Sequence, residues 1–406
     1  MQRKPRSMKE ALAPSPKEEE PTKRKKKAAA PVNDAERFLE LLKGLNPKDE
    51  NAFGFFGRDG LDTPINEFIS TGSLAIDKLI GGPTGGWPIG RLSECASWEG
   101  VGKSTLLDQS IAQVQRMGGI AAVIDSEHSR DASYTRRLGV DTDTLIAKPV
   151  ETVEDVFSAT DTVLSVQERL TAEYAKRKQK PPPLLLVWDS LGATPTKREL
   201  LGEPDDKHVA EAAKVIKMNF RRICARIADL RIAFVFVNHF YTDIGPFATM
   251  KTSGGSGVRY FTSLRLWLTN KGQIKIGNTV FGHEVEAKTK KTRVRSPRPP
   301  AQAGLIYGAG FDNAYTLYSW GKTAGLSSDH KWIVETPQWQ YLMLPDGTHI
   351  AFQQRFIGLG KAFAERPDAY AMMADHFMRD GEDILGEPEE DDEEEENEDD
   401  AEEKTT

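Results

Sequence analysis

Cysteine is scarce, with two residues, Cys95 and Cys224, in a chain of 406. That argues against a disulfide framework. The expectation is two reduced thiols, Cys95 in a strand and Cys224 among apolar helical neighbours, in a reducing compartment. The seven histidines show no metal-ligand spacing, so no histidine metal cluster is expected. No stretch approaches the roughly 20 apolar residues of a membrane-spanning helix. The N-terminus also lacks the apolar run of a signal peptide. These absences predict a soluble, intracellular chain with no membrane partner.

An excess of charge of either sign is missing from the body of the chain. Residues 1–33 carry ten Lys/Arg against four Glu, and residues 382–406 carry sixteen Asp/Glu against one Lys. Within a total of −7, about +2 remains between them. Both ends are poor in apolar residues and read as disordered, a basic arm and an acidic tail. The run Lys23-Arg24-Lys25-Lys26-Lys27 reads as a nuclear-import signal, a nucleic-acid arm or a solvated linker. A near-neutral body with local clusters of bases remains compatible with nucleic-acid binding.

Between the ends the pattern is α/β. Asp34–Leu45 predicts an amphipathic helix, capped by Asp34, with Phe38, Leu41, Leu42 and Leu45 on one face. It opens an assembly region over residues 34–68. The runs 119–124, 184–188 and 232–237 are short, nearly all apolar and rich in β-formers, as in parallel strands covered on both faces. Helical stretches at 152–176 and 207–228 separate them, and 264–268 and 283–288 extend the sheet. The expected core covers 69–320, with a small α+β domain over 321–381.

Residues Ser97-Trp98-Glu99-Gly100-Val101-Gly102-Lys103-Ser104-Thr105 join a strand at 91–95 to a helix whose Leu107, Ile111, Val114 and Met117 fall at helical spacing. A glycine-bearing turn there aims backbone N–H groups and a positive dipole end at one spot, which suits phosphate. Lys103 would reach the β- and γ-phosphates, and the Ser104 hydroxyl would ligate Mg²⁺. Functional groups of a parallel sheet collect at the carboxyl ends of its strands. Here Asp189-Ser190 offers a Mg²⁺ carboxylate, and Asp125-Ser126-Glu127-His128 offers Glu127 as base for an attacking water. Asn238-His239 can sense a γ-phosphate. Each alone is also an ordinary strand-end cap. Together, beside a phosphate loop, they predict a hydrolytic nucleoside-triphosphate site.

The ordered set of segments resembles the RecA family of recombinases over roughly residues 34–320. Ile69–Asp77 with Gly85–Arg91 is similar to the lead-in to that family's nucleotide loop. Ile124–His128, Tyr134 and Leu138-Gly139-Val140-Asp141 resemble the segment with the catalytic glutamate and adenine-stacking tyrosine. Val187-Trp188-Asp189-Ser190 resembles the Mg²⁺ aspartate strand. Thr252-Ser253-Gly254-Gly255, with Arg259-Tyr260-Phe261 and Arg265, resembles the second DNA loop and the strand after it. Tyr307-Gly308-Ala309-Gly310 resembles a later core turn. The resemblance implies a P-loop ATPase core using ATP and Mg²⁺, with catalytic Glu127 and Lys103, Tyr134 stacked on adenine, and Asp131 accepting from its amino group. It also implies a homo-oligomeric filament in which Lys291 and Arg293 complete a neighbour's site. Read alone, the basic run 288–298 is equally a solvated hairpin or a nucleic-acid contact.

Two further segments point to DNA. Residues 241–257 read as a long flexible loop, a length that is usually functional or disordered. Its glycines would admit phosphates, and Phe247 or Met250 would wedge between bases beside Lys251. On the helix at 207–228, Lys214, Lys217 and Arg221 form a basic row, which follows Glu199–Lys207, a segment resembling the family's first DNA loop. Phosphate contact by Lys207 and this row is expected. The implied partners are single-stranded DNA and homologous duplex.

Ser97 stands where the family's loop opens with glycine, and His239 where bacterial members carry glutamine. These departures suggest a divergent, phage-encoded member acting in the bacterial cytoplasm. A RecA-fold motor or helicase, or a DNA-coating regulatory protein, shares enough of these features to remain open at this point.

Overall fold

The computed structural model describes residues 34–45, 54, 65–201, 209–242, 249–327 and 330–380. The basic arm, the acidic tail, Lys207 and Phe247 lie outside the described residues. The chain divides into two units, 1–63 and 64–406. The first holds the helix Asp34–Leu45, with the expected bounds. Its Phe38, Leu41 and Leu45 are exposed, and Leu42 is half-buried.

The second unit is organised by a ten-stranded sheet. Its six parallel strands run in the spatial order Leu264–Ile276, Arg91–Ser97, Ile232–Thr242, Leu184–Asp189, Ile120–Asp125, Ile146–Pro149. Thr279–Thr292, Ala301–Ile306 and Gly310–Asp312 continue it antiparallel beyond Leu264–Ile276. The α/β class and the mostly parallel sheet expected from the apolar runs are present.

Both faces of the sheet are covered, which is why those runs lack polar residues. Side chains alternate across a strand. Leu185, Val187, Val235 and Val237 therefore pack on one side, with Leu106, Leu107 and Ile111 of the helix Lys103–Arg116. Leu184, Leu186, Trp188, Phe234 and Phe236 pack on the other, against Phe157 of Val153–Lys176 and Phe220 of Val209–Asp229. Trp188 is fully buried, so truncation to Ala would cost about 3–5 kcal/mol. Met117 departs from its expected place. It lies just past the last helical turn and is exposed, because the helix ends at Arg116.

Of the segment 241–257, residues 243–248 lie outside the described residues, and the stretches on either side of them are paired. Ile232–Thr242 extends to meet a short antiparallel strand, Met250–Thr252, with Phe240 opposite Thr252. A helix, Gly255–Phe261, follows.

The change of pattern near residue 320 falls inside the helix Asn313–Thr323. Leu317 and Tyr318 of that helix join a separate apolar cluster with Trp332, Leu342, Phe352, Phe356, Leu359 and Met373. This cluster lies among a three-stranded antiparallel sheet and the helices Arg355–Glu365 and Pro367–Arg379.

Candidate active site

In register, Ser97 sits opposite His239, and Asp125 opposite Asp189, so the polar strand ends meet at one edge of the sheet. After Ser97 the chain turns through Gly100 (φ 71°) and Gly102 (φ 107°), values other residues avoid. A Cβ on Gly102 would lie 2.2 Å from Leu305 Cδ1. The helix Lys103–Arg116 starts at once, and its free N–H groups open on the turn. Val101 is buried in the core, whereas Glu99 and Thr105 line the space above, and Trp98 is part-exposed, edge-on to Phe240.

Lys103 folds back over this turn. Its Nζ donates to Ser97 O at 3.2 Å, Ser97 Oγ at 3.1 Å and Trp98 O at 3.0 Å. Two of these acceptors are backbone carbonyls, so the departure at Ser97 adds one lysine partner, the hydroxyl, at the end of an unbroken strand. Burial lowers the Lys103 pKa, opposed by nearby Cys95, Glu127 and Asp189.

A cavity of about 920 Å³ opens here, and Lys103, Ser104, Glu127, Tyr134, Asp189 and His239 all line it. Asp189 is buried; Oδ2 accepts from Arg130 Nη2 at 3.2 Å, while Oδ1 has no partner. Burial raises its pKa; Arg130 pulls it down, Glu127 pushes it up and the Ser104 hydroxyl pulls it down. An unpartnered buried carboxylate oxygen beside a hydroxyl and a phosphate-loop lysine fits a hard cation held next to phosphate. Glu127 Oε1 accepts from Ser190 Oγ, and from His239 Nε2 at 3.0 Å. The His239 bond is the main reason its pKa is held at about 2. So bound, Glu127 is ionised but weakly basic. Release from His239 would raise its basicity.

Asp131 caps the helix Ala132–Arg137 by accepting from Tyr134 N at 2.7 Å. Tyr134 is thereby set against the phosphate-loop helix, its hydroxyl 3.1 Å from Thr105 Oγ1. Asn238 does not join this group. Its neighbour His239 faces the cavity, and consecutive strand residues point oppositely. Asn238 Nδ2 instead donates to Glu94 Oε1 at 2.8 Å and to Ser253 O at 2.9 Å. The buried Glu94 also accepts from Arg265 Nε at 2.5 Å, and Arg265 Nη2 reaches Thr252 Oγ1 at 2.9 Å. Glu94 on the phosphate-loop strand therefore holds Asn238 directly and Thr252 through Arg265.

Lys291 and Arg293 lie away from the cavity of their own chain. Lys291 Nζ caps the helix Gly255–Phe261 through Arg259 O, at 2.5 Å. Burial, Arg293 and Arg265 lower its pKa to about 8. Lys214, Lys217 and Arg221 share an exposed face of Val209–Asp229, and Met250 and Arg259 are exposed. Gly254 and Gly255 have positive φ and start the following helix, where a Cβ on Gly255 would lie 2.9 Å from Ala213 Cβ. Their small size thus serves packing in this structure.

The sequence reading missed Arg130, Ser190 and His283. Ser190 was adjacent to a recognised aspartate. His283 is buried, lines the cavity and leaves Nε2 without a partner. No local pattern marks either His283 or Arg130.

Comparison with known proteins decides the family. The model of the RecA N-terminal domain matches residues 57–312. The chain belongs to the RecA family. Protein RecA of Desulforapulum autotrophicum is 30% identical over 260 residues, 64% of this chain and 70% of that one. Protein RecA of Corynebacterium efficiens is 30% identical over 298 residues, 73% of each chain. The RecA model match ends at Asp312, before the helix Asn313–Thr323 and the small sheet beyond it. Among the described residues, no helix is long and apolar enough to cross a membrane.

Proposed function

We propose that this protein is an ATP-dependent recombinase that assembles as a filament on single-stranded DNA and drives homologous pairing and strand exchange. The observation that carries the reading is the convergence of Lys103, Ser104, Glu127, Asp189 and His239 on one cavity. Ser104 and Asp189 would hold Mg²⁺, which supplies positive charge to the triphosphate. Lys103 binds the phosphates, Glu127 orients and activates water, and Tyr134 stacks on the base. His239 ties the state of Glu127 to the strand that enters the 238–253 hairpin.

Filament assembly is supported by the uncovered Phe38, Leu41 and Leu45, a face suited to a neighbouring subunit. Lys291 and Arg293, absent from their own cavity, would act across that junction. The basic row of Val209–Asp229 and the hairpin would hold DNA. The acidic residues 382–406 would compete with DNA for these bases, and the arm 1–33 would add attraction.

The test is joint-molecule formation between homologous single-stranded and duplex DNA, with ATP, for the wild type and Lys103→Ala. Product that requires homology, ATP and Lys103 is expected. DNA-stimulated ATP hydrolysis without product would replace the recombinase reading with a motor.

A further inference from the structure

Arg130 is a largely buried arginine for which nucleotide binding and hydrolysis assign no role. It lies between Glu127 and the helix Ala132–Arg137, and its side chain is 15% exposed. Nη1 bonds Asp108 of the phosphate-loop helix, and Nη2 bonds Asp189 Oδ2 at 3.2 Å. The second Asp108 oxygen accepts from Thr135 Oγ1 at 2.8 Å. Nε is buried without a partner, and Asp125 adds a third carboxylate to the field around the guanidinium. The ring of acids, with one donor left unpaired, indicates that charge places this side chain.

Asp108 and Asp189 are both nearly inaccessible. Two buried carboxylates cannot stay ionised side by side without positive charge between them. A planar guanidinium can serve both at once, which a lysine ammonium does less well. It takes Oδ2 of Asp189 and leaves Oδ1 open.

We propose that Arg130 is the resident counter-cation of the metal carboxylate. Its guanidinium neutralises Asp108 and Asp189 while no divalent cation is bound and holds Asp189 with one oxygen free. The proposal rests on the reading of Asp189 as a Mg²⁺ ligand. It makes Arg130 a positioning residue whose charge keeps the empty site stable and weakens the hold on the divalent ion.

The test uses the full chain without nucleotide and follows thermal unfolding in EDTA and across millimolar Mg²⁺. Arg130→Met should unfold about 5 °C below wild type in EDTA and recover more than half of that loss in Mg²⁺. Wild type should barely respond. Arg130→Lys should lose less and also recover, which carries the test if Arg130→Met does not fold. Arg130→Met with Asp189→Asn should show no recovery. In parallel, the Mg²⁺ concentration that half-saturates binding of a fluorescent ADP analogue should fall about tenfold in Arg130→Met, a shift of about one decade of affinity. A stability loss that Mg²⁺ leaves untouched would overturn the proposal, as would unchanged stability in EDTA. Failure of the underlying reading has a separate signature: wild type would bind no nucleotide in Mg²⁺.

Discussion

At the cavity, Lys103, Asp189 and Glu127 are largely withdrawn from water, and each is held by neighbours outside its own helix, strand or loop. On the proposed DNA face, Lys214, Lys217 and Arg221 stand exposed along one side of a helix. In the first region charge is rare, buried and wired. In the second it is repeated and solvated. A buried polar network concentrates consequence in single residues, because each lost partner strands another group in low dielectric. An exposed basic row spreads consequence, because each phosphate contact adds a small, salt-screened increment.

The largest effect should come from the wired region. Lys103→Ala should lower DNA-stimulated ATP hydrolysis by about 100-fold or more, measured by phosphate release. A loss of only a few-fold would mean the lysine is a structural clamp for Ser97 and Trp98. His239→Ala sharpens the same side through pH. The folded-state pKa of Glu127 is depressed, so Glu127 is ionised, and able to act as a base, down to about pH 2. Without His239 that pKa should climb toward the ordinary carboxylate value of about 4.3, moving the acid limb of kcat/KM upward. An unmoved limb would detach His239 from the base.

Smaller effects should mark the helix pair behind the DNA face and the basic row itself. A Cβ on Gly257 would lie 2.8 Å from Lys217 Cα. Gly257→Ala should therefore lower stability by about 1–3 kcal/mol in urea unfolding. Lys214→Ala should weaken single-stranded DNA binding only a few-fold and reduce the salt slope by about 0.7. A collapse of binding from this one change would show that the row is wired too.

Much of the site was legible because chemistry and pattern coincided. An apolar run closing on Asp189, another on Glu127 and a third on His239 announce strand ends in a parallel sheet, and the glycine turn before Lys103 announces a phosphate loop. Strand alternation alone sets Asn238 and His239 on opposite sides, and in the structure Asn238 bonds Glu94 and Ser253 while His239 bonds Glu127. The pairing of Phe240 with Thr252 was obscured by the glycines that follow, Gly254 and Gly255, which look like loop and act as helix start and packing contact. Arg130 was invisible, because its two carboxylates lie 22 and 59 residues away.

By itself, the sequence determined the class of fold, the order of its strands and helices, and the residue types at each strand end. Those follow from local spacing and from the need to cover both faces of an apolar sheet. Only the tertiary structure decided which strand stands beside which, and so which polar groups share a cavity. The insertion of Ile232–Thr242 between the Ser97 and Asp189 strands brings His239 to Glu127 and turns Asn238 toward Glu94. The physical reason is range: propensity and periodicity act over a few residues, whereas ion pairs, buried hydrogen bonds and close glycine contacts depend on distances that only the packed chain creates.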